Sequence, residues 1–214
     1  MRSQSIFLIC VFALLTLSSC KINKELSNAG QRTSWLSEHL NLIQSQDSDT
    51  PMRLYLLTNH SDSILLRTKS KRVTPNQEDV VLKKLVDRML ATVQDSMSMG
   101  VGIAAPQVGV LKNIILVQRF DKLDFPFEAY LNPTITQYSK KTQPCMEGCL
   151  SIPNKRGETQ NRSYAILLEY DKMNGEHVIE MVEDFTAVIF QHEIDHLNGI
   201  VFLDHLESEV KKIK

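Results

Sequence analysis

Gln191-His192-Glu193-Ile194-Asp195-His196-Leu197 is the stretch that decides the fold and the chemistry of this chain. In a helix, His192 and His196 lie one turn apart on the same face, so both imidazoles can reach one ion. Glu193 is offset around the helix and can act on a water at that ion without binding the ion itself. A catalytic zinc-type site needs three protein ligands and an open position for water. The stretch therefore predicts a hydrolytic metal site that still lacks one ligand.

The missing ligand is not the one used by the large group of zinc proteases that share this motif. Their third histidine follows a fixed spacing, and this chain has Phe202 at that position. Upstream, Cys149 lies between Gly148 and Leu150-Ser151, in a pattern that predicts a tight turn leading into an extended segment. A Cys149 thiolate would complete a Cys-His-His set with water in the fourth position, although a cysteine taken alone is more often a small buried hydrophobe.

With these residues in view, the chain resembles the peptide deformylases. Three motifs carry the resemblance, in the order in which that family has them: Gly100-Val101-Gly102-Ile103-Ala104-Ala105-Pro106-Gln107, Glu147-Gly148-Cys149-Leu150-Ser151, and the stretch quoted above. The resemblance covers about residues 52–206. Three ordered motifs whose chemistry interlocks are far more specific than a His-Glu-x-x-His pattern alone.

The resemblance implies metal-dependent hydrolysis of the formyl group from the amino end of a peptide, normally an N-formyl-methionyl peptide, with release of formate. It implies one divalent ion, Fe²⁺ or Zn²⁺, with Ni²⁺ or Co²⁺ as substitutes, held by Cys149, His192 and His196. Glu193 would be the general base. The oxyanion would be bound by the side-chain amide of Gln107 and the backbone N–H of Leu150.

Further residues are implied in substrate binding. The backbone at Gly100 and Gly102 would pair with the extended peptide, because missing side chains allow a close approach. Arg156 would hold the substrate backbone. The apolar pocket for the methionine side chain would be lined by Val188 and Ile189.

Other polar residues carry weaker signals. Asp195 is either a group that orients a metal ligand or a solvated helix residue. Four histidines carry no supporting pattern and are interpreted as surface or incidental: His39, His60, His177 and His205. For Cys145, ordinary packing is favoured over metal binding.

The first twenty residues predict export. An apolar run at residues 6–17 is too short for a membrane span of about 20 residues and has signal-peptide anatomy. Leu17-Ser18-Ser19-Cys20 resembles the bacterial lipoprotein cleavage box, which predicts lipidation of Cys20 and an exported, membrane-anchored lipoprotein. The alternatives are a signal peptide cut elsewhere, an uncleaved anchor, or a cytoplasmic protein whose N-terminal segment is not processed.

Formylated nascent chains are made in the cytosol, which conflicts with an exported location. Export also affects the choice of metal, because the exported setting is oxidising. A thiolate and a ferrous ion are both vulnerable there. Zinc has no redox chemistry, so it is favoured slightly while iron stays open. A disulfide between Cys145 and Cys149 would destroy the site.

Composition bounds the remaining possibilities. The net charge is −1 and the sequence pI is ≈ 6.6, and no basic patch points to nucleic acid.

We expect a monomer with a signal peptide at 1–20, a tether or N-terminal extension at 21–51 containing a short helix near 35–43, and a catalytic domain at 52–214. Runs of strands with segregated helices predict an α+β fold, and the resemblance implies antiparallel β-sheets packed around the C-terminal helix that carries the motif.

Local signals predict individual elements. Thr74 as N-cap and Pro75 in the first turn predict a helix that ends by Gly100. Asn174-Gly175 predicts a hairpin turn. Strands are predicted at residues 114–118, 130–135, 166–170 and 178–182, and the motif helix at 184–197. The short, charged C-terminal tail leaves little room for the additional terminal helix that some members of the peptide deformylase family have.

Two other functions remain open. One is a metalloprotease or a different amidase that uses the same site. The other is a catalytically altered exported protein that keeps the metal or binds formyl-peptides. Both Glu193 and Gln107 are present, and this favours an enzyme.

Overall fold

The computed structural model of the chain describes residues 35–95 and 100–213. The predicted signal segment and Cys20 lie outside the described residues. Both sheets belong to one compact unit, Glu38–Lys214. Among the described residues, no helix combines the length and the apolar character that a membrane crossing requires.

The described residues form helices and antiparallel strands, which confirms the predicted α+β class. The helices are α1 (Ser37–Gln44), α2 (His60–Leu66), α3 (Val80–Gln94), α4 (Asp184–Leu197) and α5 (Phe202–Ile213). The strands are β1 (Gly102–Ala104), β2 (Ile114–Gln118), β3 (Phe127–Tyr138), β4 (Thr142–Cys149), β5 (Ile152–Ser163), β6 (Ala165–Asp171) and β7 (His177–Glu183). A 3₁₀ helix, Ala105–Val108, follows β1.

Two antiparallel sheets position the motif helix. The larger has the order β1-β2-β3-β6-β7, so β1 forms one edge, and β4 pairs with β5 in the smaller sheet. Helix α4 packs against strands of both sheets. Its apolar side chains join those of the larger sheet in one buried cluster, where the rings of Tyr130 and Phe190 lie 4.7 Å apart, edge to face. The predicted central position of the motif helix is therefore confirmed.

Several predicted elements match the structure closely. The strand at 114–118 and the helix at 184–197 have the predicted bounds, and the other three predicted strands lie within β3, β6 and β7. The turn at Asn174-Gly175 also forms. Gly175 has φ +87°, a backbone conformation that glycine adopts without strain, and the Asn174 side chain accepts from the N–H of Glu176.

The predicted start of the long helix was wrong. Helix α3 begins after Asp79, whose side chain accepts from the backbone N–H groups of Val81 and Leu82. Thr74 and Pro75 precede the helix in an irregular segment. Two good capping residues lie close together here, and the one whose carboxylate satisfies two helix donors decides the boundary.

Helix α5 occupies the C-terminal tail, where the sequence indicated little room for a terminal helix. This helix packs on β5. The two elements approach closely at Gly157, where an added Cβ would lie 2.3 Å from Cδ1 of Leu206. A glycine on one element therefore makes room for an apolar side chain on the other, a match that neither segment reveals by itself.

The predicted 21–51 segment contains helix α1, which lies near the predicted position. Arg88 of α3 is only 2% exposed and donates to the carbonyl groups of Leu42, Ile43 and Thr50. A cation at the C-terminus of a helix is stabilised by the negative end of the helix dipole. His39 on α1 is buried rather than at the surface, so its predicted exposure was wrong.

Candidate metal centre and active site

The three predicted metal ligands converge. Cys149 ends β4, and His192 and His196 lie one turn apart on α4. One ligand atom from each residue lies within 4.8 Å of the other two, and Cys149 Sγ is 3.2 Å from Nε2 of His196. Ligands of a tetrahedral zinc ion are about 3.5 Å apart at ordinary bond lengths. The donor set and its spacing therefore fit one divalent ion with a position left open.

The thiol of Cys149 is prepared for metal binding by its neighbours. Burial by itself raises the pKa of this group. The nearby imidazoles of His196 and His192 outweigh burial and lower the pKa of Cys149 to about 5. A thiolate is the form that binds metal, so the surroundings favour the required state at neutral pH.

Glu147 fixes the orientation of His192. Nδ1 of His192 lies 2.7 Å from Oε2 of Glu147. This contact directs the Nε2 atom of His192 toward the other two ligands, an arrangement that recurs in metal sites with a carboxylate behind a histidine. Burial opposes ionisation of Glu147, but hydrogen bonds from His192 and Arg162 hold the pKa of its carboxyl well below the ordinary value.

A buried arginine, Arg162, joins this carboxylate to a second one. Its side chain donates to both oxygens of Glu147, at 2.8 and 2.9 Å, and to Oδ2 of Asp195 at 2.7 Å. His205 of α5 also bonds Oδ2 of Asp195, at 2.8 Å. Asp195 is therefore part of the network behind His192 and not a solvated helix residue. The interpretation of His205 as incidental was wrong.

Glu193, the predicted general base, is only 4% exposed and lines the cavity beside the ligands. Its Oε2 atom has no hydrogen-bond partner among the described residues. Burial raises the pKa of Glu193 to about 7, although the imidazoles of His192 and His196 oppose the shift. A buried carboxylate with a free acceptor atom, next to an ion site, can accept a proton from a water.

Gln107, the predicted oxyanion donor, is held by its surroundings. Its Oε1 accepts from the backbone N–H of Ala104. Its Nε2 is therefore directed toward Cys149 Sγ, at 3.6 Å, and Ser151 Oγ, at 3.3 Å. Leu150, whose backbone N–H is the second predicted donor, lies between those two residues and lines the same cavity. The structure thus places both predicted donors beside the ligand cluster.

A cavity of about 920 Å³ opens onto these groups. All five predicted substrate-binding residues line it: Gly100, Gly102, Arg156, Val188 and Ile189. His196 is fully buried behind the cavity. The sequence reasoning did not single out Met146 and Phe185, which also line this cavity, and it favoured ordinary packing for Cys145, which lines the cavity as well. The predicted substrate and catalytic residues are thus brought to one place.

The structure gives a second reason why residue 102 is a glycine. A Cβ at this position would lie 2.6 Å from Oε1 of Glu193 and 2.9 Å from Cγ2 of Ile189. The missing side chain therefore lets β1 approach the motif helix. The sequence attributes this glycine to the close approach of substrate. The structure shows that Glu193 also leaves no room for a side chain at this position.

Cys145 and Cys149 do not form a disulfide. Both lie on the continuous strand β4, where four residues span about 13 Å between Cα atoms. A disulfide requires Cα atoms less than about 7 Å apart. The hazard suggested by their closeness in the sequence is therefore excluded by the strand geometry.

The sequence reasoning missed Arg162 and Thr159, both of which bond Glu147. They lie in the polar stretch Gly157–Ser163, whose composition looks like a solvated strand or loop. Arg162 shares a face with Thr159 because β5 carries a bulge: Arg162 pairs with Gln143 and Thr159 pairs with Cys145. An inserted residue in one strand re-aims the next side chain, and no local signal in the sequence marks it.

Comparisons with known proteins agree with this geometry. A family model described as polypeptide deformylase matches residues 55–212. A peptide deformylase from Desulforudis audaxviator is 37% identical over 164 residues, which are 75% of this chain and 99% of the relative. A peptide deformylase from Thermotoga maritima is 40% identical over 152 residues, which are 70% of this chain and 85% of that relative.

Solved structures give the same result. A class I type b peptide deformylase from Acinetobacter baumannii, bound to Met-Ala-Ser, has a TM-score of 0.64 and 32% identity, covering 73% of this chain and 99% of that chain. The structure of peptide deformylase from Thermotoga maritima has a TM-score of 0.63 and 34% identity, covering 72% and 97%. Both similarities therefore extend over nearly the whole of the compared protein.

Proposed function

We propose the function of this chain from the premise that it belongs to the polypeptide deformylase family, as the match over residues 55–212 and the similar relatives show. It is a metal-dependent hydrolase that removes the N-terminal formyl group from peptides and releases formate. The observation that carries this conclusion is the convergence of Cys149, His192 and His196 beside a cavity that Glu193 and Gln107 also line.

A divalent ion held by Cys149, His192 and His196 would act as a Lewis acid and lower the pKa of a water to about 7. Glu193 accepts the proton of the attacking water through its free Oε2 and later delivers a proton to the departing amine. Such proton transfer contributes about 10²–10⁴-fold.

Gln107 and Leu150 supply the oxyanion donors. The carbonyl oxygen of the formyl group gains negative charge during attack, and donors fixed in advance stabilise that charge without reorganising. The Gln107 amide is fixed in advance, because Ala104 holds its oxygen and leaves its N–H₂ group directed at the site.

The substrate peptide would add to the free edge of β1. This strand pairs only with β2 among the described residues, and Gly100 and Gly102 line the cavity beside it. An extended peptide can form main-chain hydrogen bonds to such an edge. We assign the substrates as N-formyl-methionyl peptides. The methionine side chain would lie on Val188 and Ile189, and Arg156 would hold the peptide backbone near the mouth of the cavity.

The decisive experiment is formate release by the full chain, purified anaerobically in detergent and loaded with Fe²⁺ or Zn²⁺. We expect metal-dependent release from formyl-Met-Ala-Ser and none after chelation, with activity restored when metal is added back. A chain that holds its metal and releases no formate would contradict the assigned reaction. It would favour instead the exported protein that binds formyl-peptides without cleaving them, and cleavage within Met-Ala-Ser would favour a protease.

We further propose that the chain is an exported bacterial lipoprotein and a monomer. Support for the export comes from the apolar run before Leu17-Ser18-Ser19-Cys20. Because the exported setting is oxidising, we favour Zn²⁺ over Fe²⁺ as the native ion. An iron-loaded chain should lose activity in air while a zinc-loaded chain keeps it.

Cys20→Ala should abolish attachment to the membrane in a bacterial host. Lipidation forms on the sulfur of that cysteine, so the variant should leave the membrane fraction and incorporate no labelled palmitate. Cys10→Ala is the matched control, since it removes a cysteine from the segment that processing would discard. Labelled palmitate on the Cys20→Ala variant would contradict the anchor, and wild-type chain in the cytoplasm would favour the unprocessed alternative.

A further inference from the structure

Glu147 is saturated with hydrogen-bond donors. Arg162 Nε donates to Oε1 and one of its terminal nitrogens donates to Oε2. The Nδ1 of His192 approaches Oε2, and the hydroxyl of Thr159 donates to Oε1. An ionised carboxylate has about four acceptor sites, and four donors occupy them here. Glu147 is 5% exposed, so water cannot readily replace a lost donor.

The position of Thr159 follows from the strand register. Glu147 pairs with Gly157 and Cys145 pairs with Thr159, so Thr159 is the diagonal neighbour of Glu147 on one face of the hairpin. Gly157, directly opposite Glu147, has no side chain, and Leu206 of α5 fills that space. The hydroxyl of Thr159 therefore reaches Oε1 of the carboxylate, whereas His192 approaches Oε2.

The hydroxyl has one proton and two acceptors nearby. Cys145 O lies 3.4 Å away, and the bond to Glu147 Oε1 is the shorter of the two. The proton is therefore committed to the carboxylate. Thr159 is 1% exposed, and its methyl group could be buried equally well by valine, so packing alone does not require the hydroxyl.

We propose that Thr159 is a positioning residue for the metal ligand His192, acting through Glu147. Its hydroxyl fixes the Oε1 side of the carboxylate, so that Oε2 stays in line with Nδ1 of His192 and Nε2 stays directed at the ion position. Without the hydroxyl, the carboxylate can rotate toward Arg162, and the imidazole loses part of its orientation. This inference rests on the proposed function only through the metal site.

The test is the affinity for Zn²⁺ of the full chain in detergent, measured by competition with a chromophoric chelator. Thr159→Val keeps the shape and removes the hydroxyl. Loss of a group that supports a metal ligand from outside costs about 10–100-fold in affinity, so we expect zinc to bind about 10-fold more weakly. At saturating zinc, kcat should fall while KM for formyl-Met-Ala-Ser stays within about twofold.

Thr159→Ser should restore both the affinity and kcat, because serine keeps the hydroxyl. Thr142→Val, an exposed threonine at the start of β4, is the matched control and should bind zinc like the wild type. If Thr159→Val does not fold, Thr159→Ala replaces it with the same expected loss.

Wild-type zinc affinity in a folded Val or Ala variant would overturn the proposal. A serine variant as weak as the valine variant would overturn it too, because the hydroxyl would then not be the cause. The measurement does not depend on catalysis. A chain that releases no formate but loses zinc affinity in Thr159→Val would refute the proposed function and support this inference.

Discussion

Glu193→Gln should keep the metal and lower kcat for formyl-peptide hydrolysis by at least about 10²-fold. Glutamine has nearly the same shape as glutamate, so the close approach of this side chain to Gly102 can persist. What is lost is the acceptor that takes a proton from the attacking water. Because the carboxylate is not among the three converging ligands, metal content should stay at one ion per chain. Formate release under metal saturation and elemental analysis measure the two quantities.

The matched control is Glu183→Gln, the same substitution at an exposed position just before α4. Its side chain caps no helix N–H group, and we expect wild-type kcat. Near-normal turnover in Glu193→Gln would show that another group takes the proton. Loss of metal in that variant would mean that Glu193 supports the ion and not only the water.

Cys149→Ala should lose both the metal and the activity. The sulfur is one of three converging ligand atoms, and two histidines alone leave an incomplete site. The loss in zinc affinity should exceed the about 10–100-fold typical of an outer supporting group. Chelator competition gives the affinity, and metal content after dialysis gives an independent reading.

Cys145→Ala separates loss of this ligand from loss of any thiol on β4. Both cysteines lie on that strand, but only Cys149 belongs to the ligand cluster. We expect Cys145→Ala to keep its metal. Unchanged metal in Cys149→Ala, or loss of metal in Cys145→Ala, would contradict the ligand set.

The ligands could be predicted because local periodicity places them. A spacing of four residues puts His192 and His196 on one helix face in any helix. The chemistry of a three-ligand site then indicated a thiolate, and the motif around Cys149 supplied it. Strand and turn signals were similarly local, as the hairpin at Asn174-Gly175 shows.

Features that depend on contacts between different elements could not be predicted from the sequence. The boundary of α3 depended on whether Thr74 or Asp79 capped it, and both have suitable side chains. Helix α5 forms against β5, where Gly157 accommodates Leu206. The burial of His39 and the contact of His205 with Asp195 depend on how separate elements pack against one another. Each of these features depends on which helices and strands pack against each other in the folded chain.

The order of residues along the chain was enough to predict the α+β class and the three residues that converge as ion ligands, because helix and strand periods fix which side chains share a face and the motif around Cys149 supplied the thiolate. How His192 is held became visible only in the folded chain. In an uninterrupted strand, Thr159 and Arg162 would point to opposite faces, since successive side chains alternate. The bulge in β5 brings both to Glu147, and a bulge depends on how two strands pair, which local sequence does not specify.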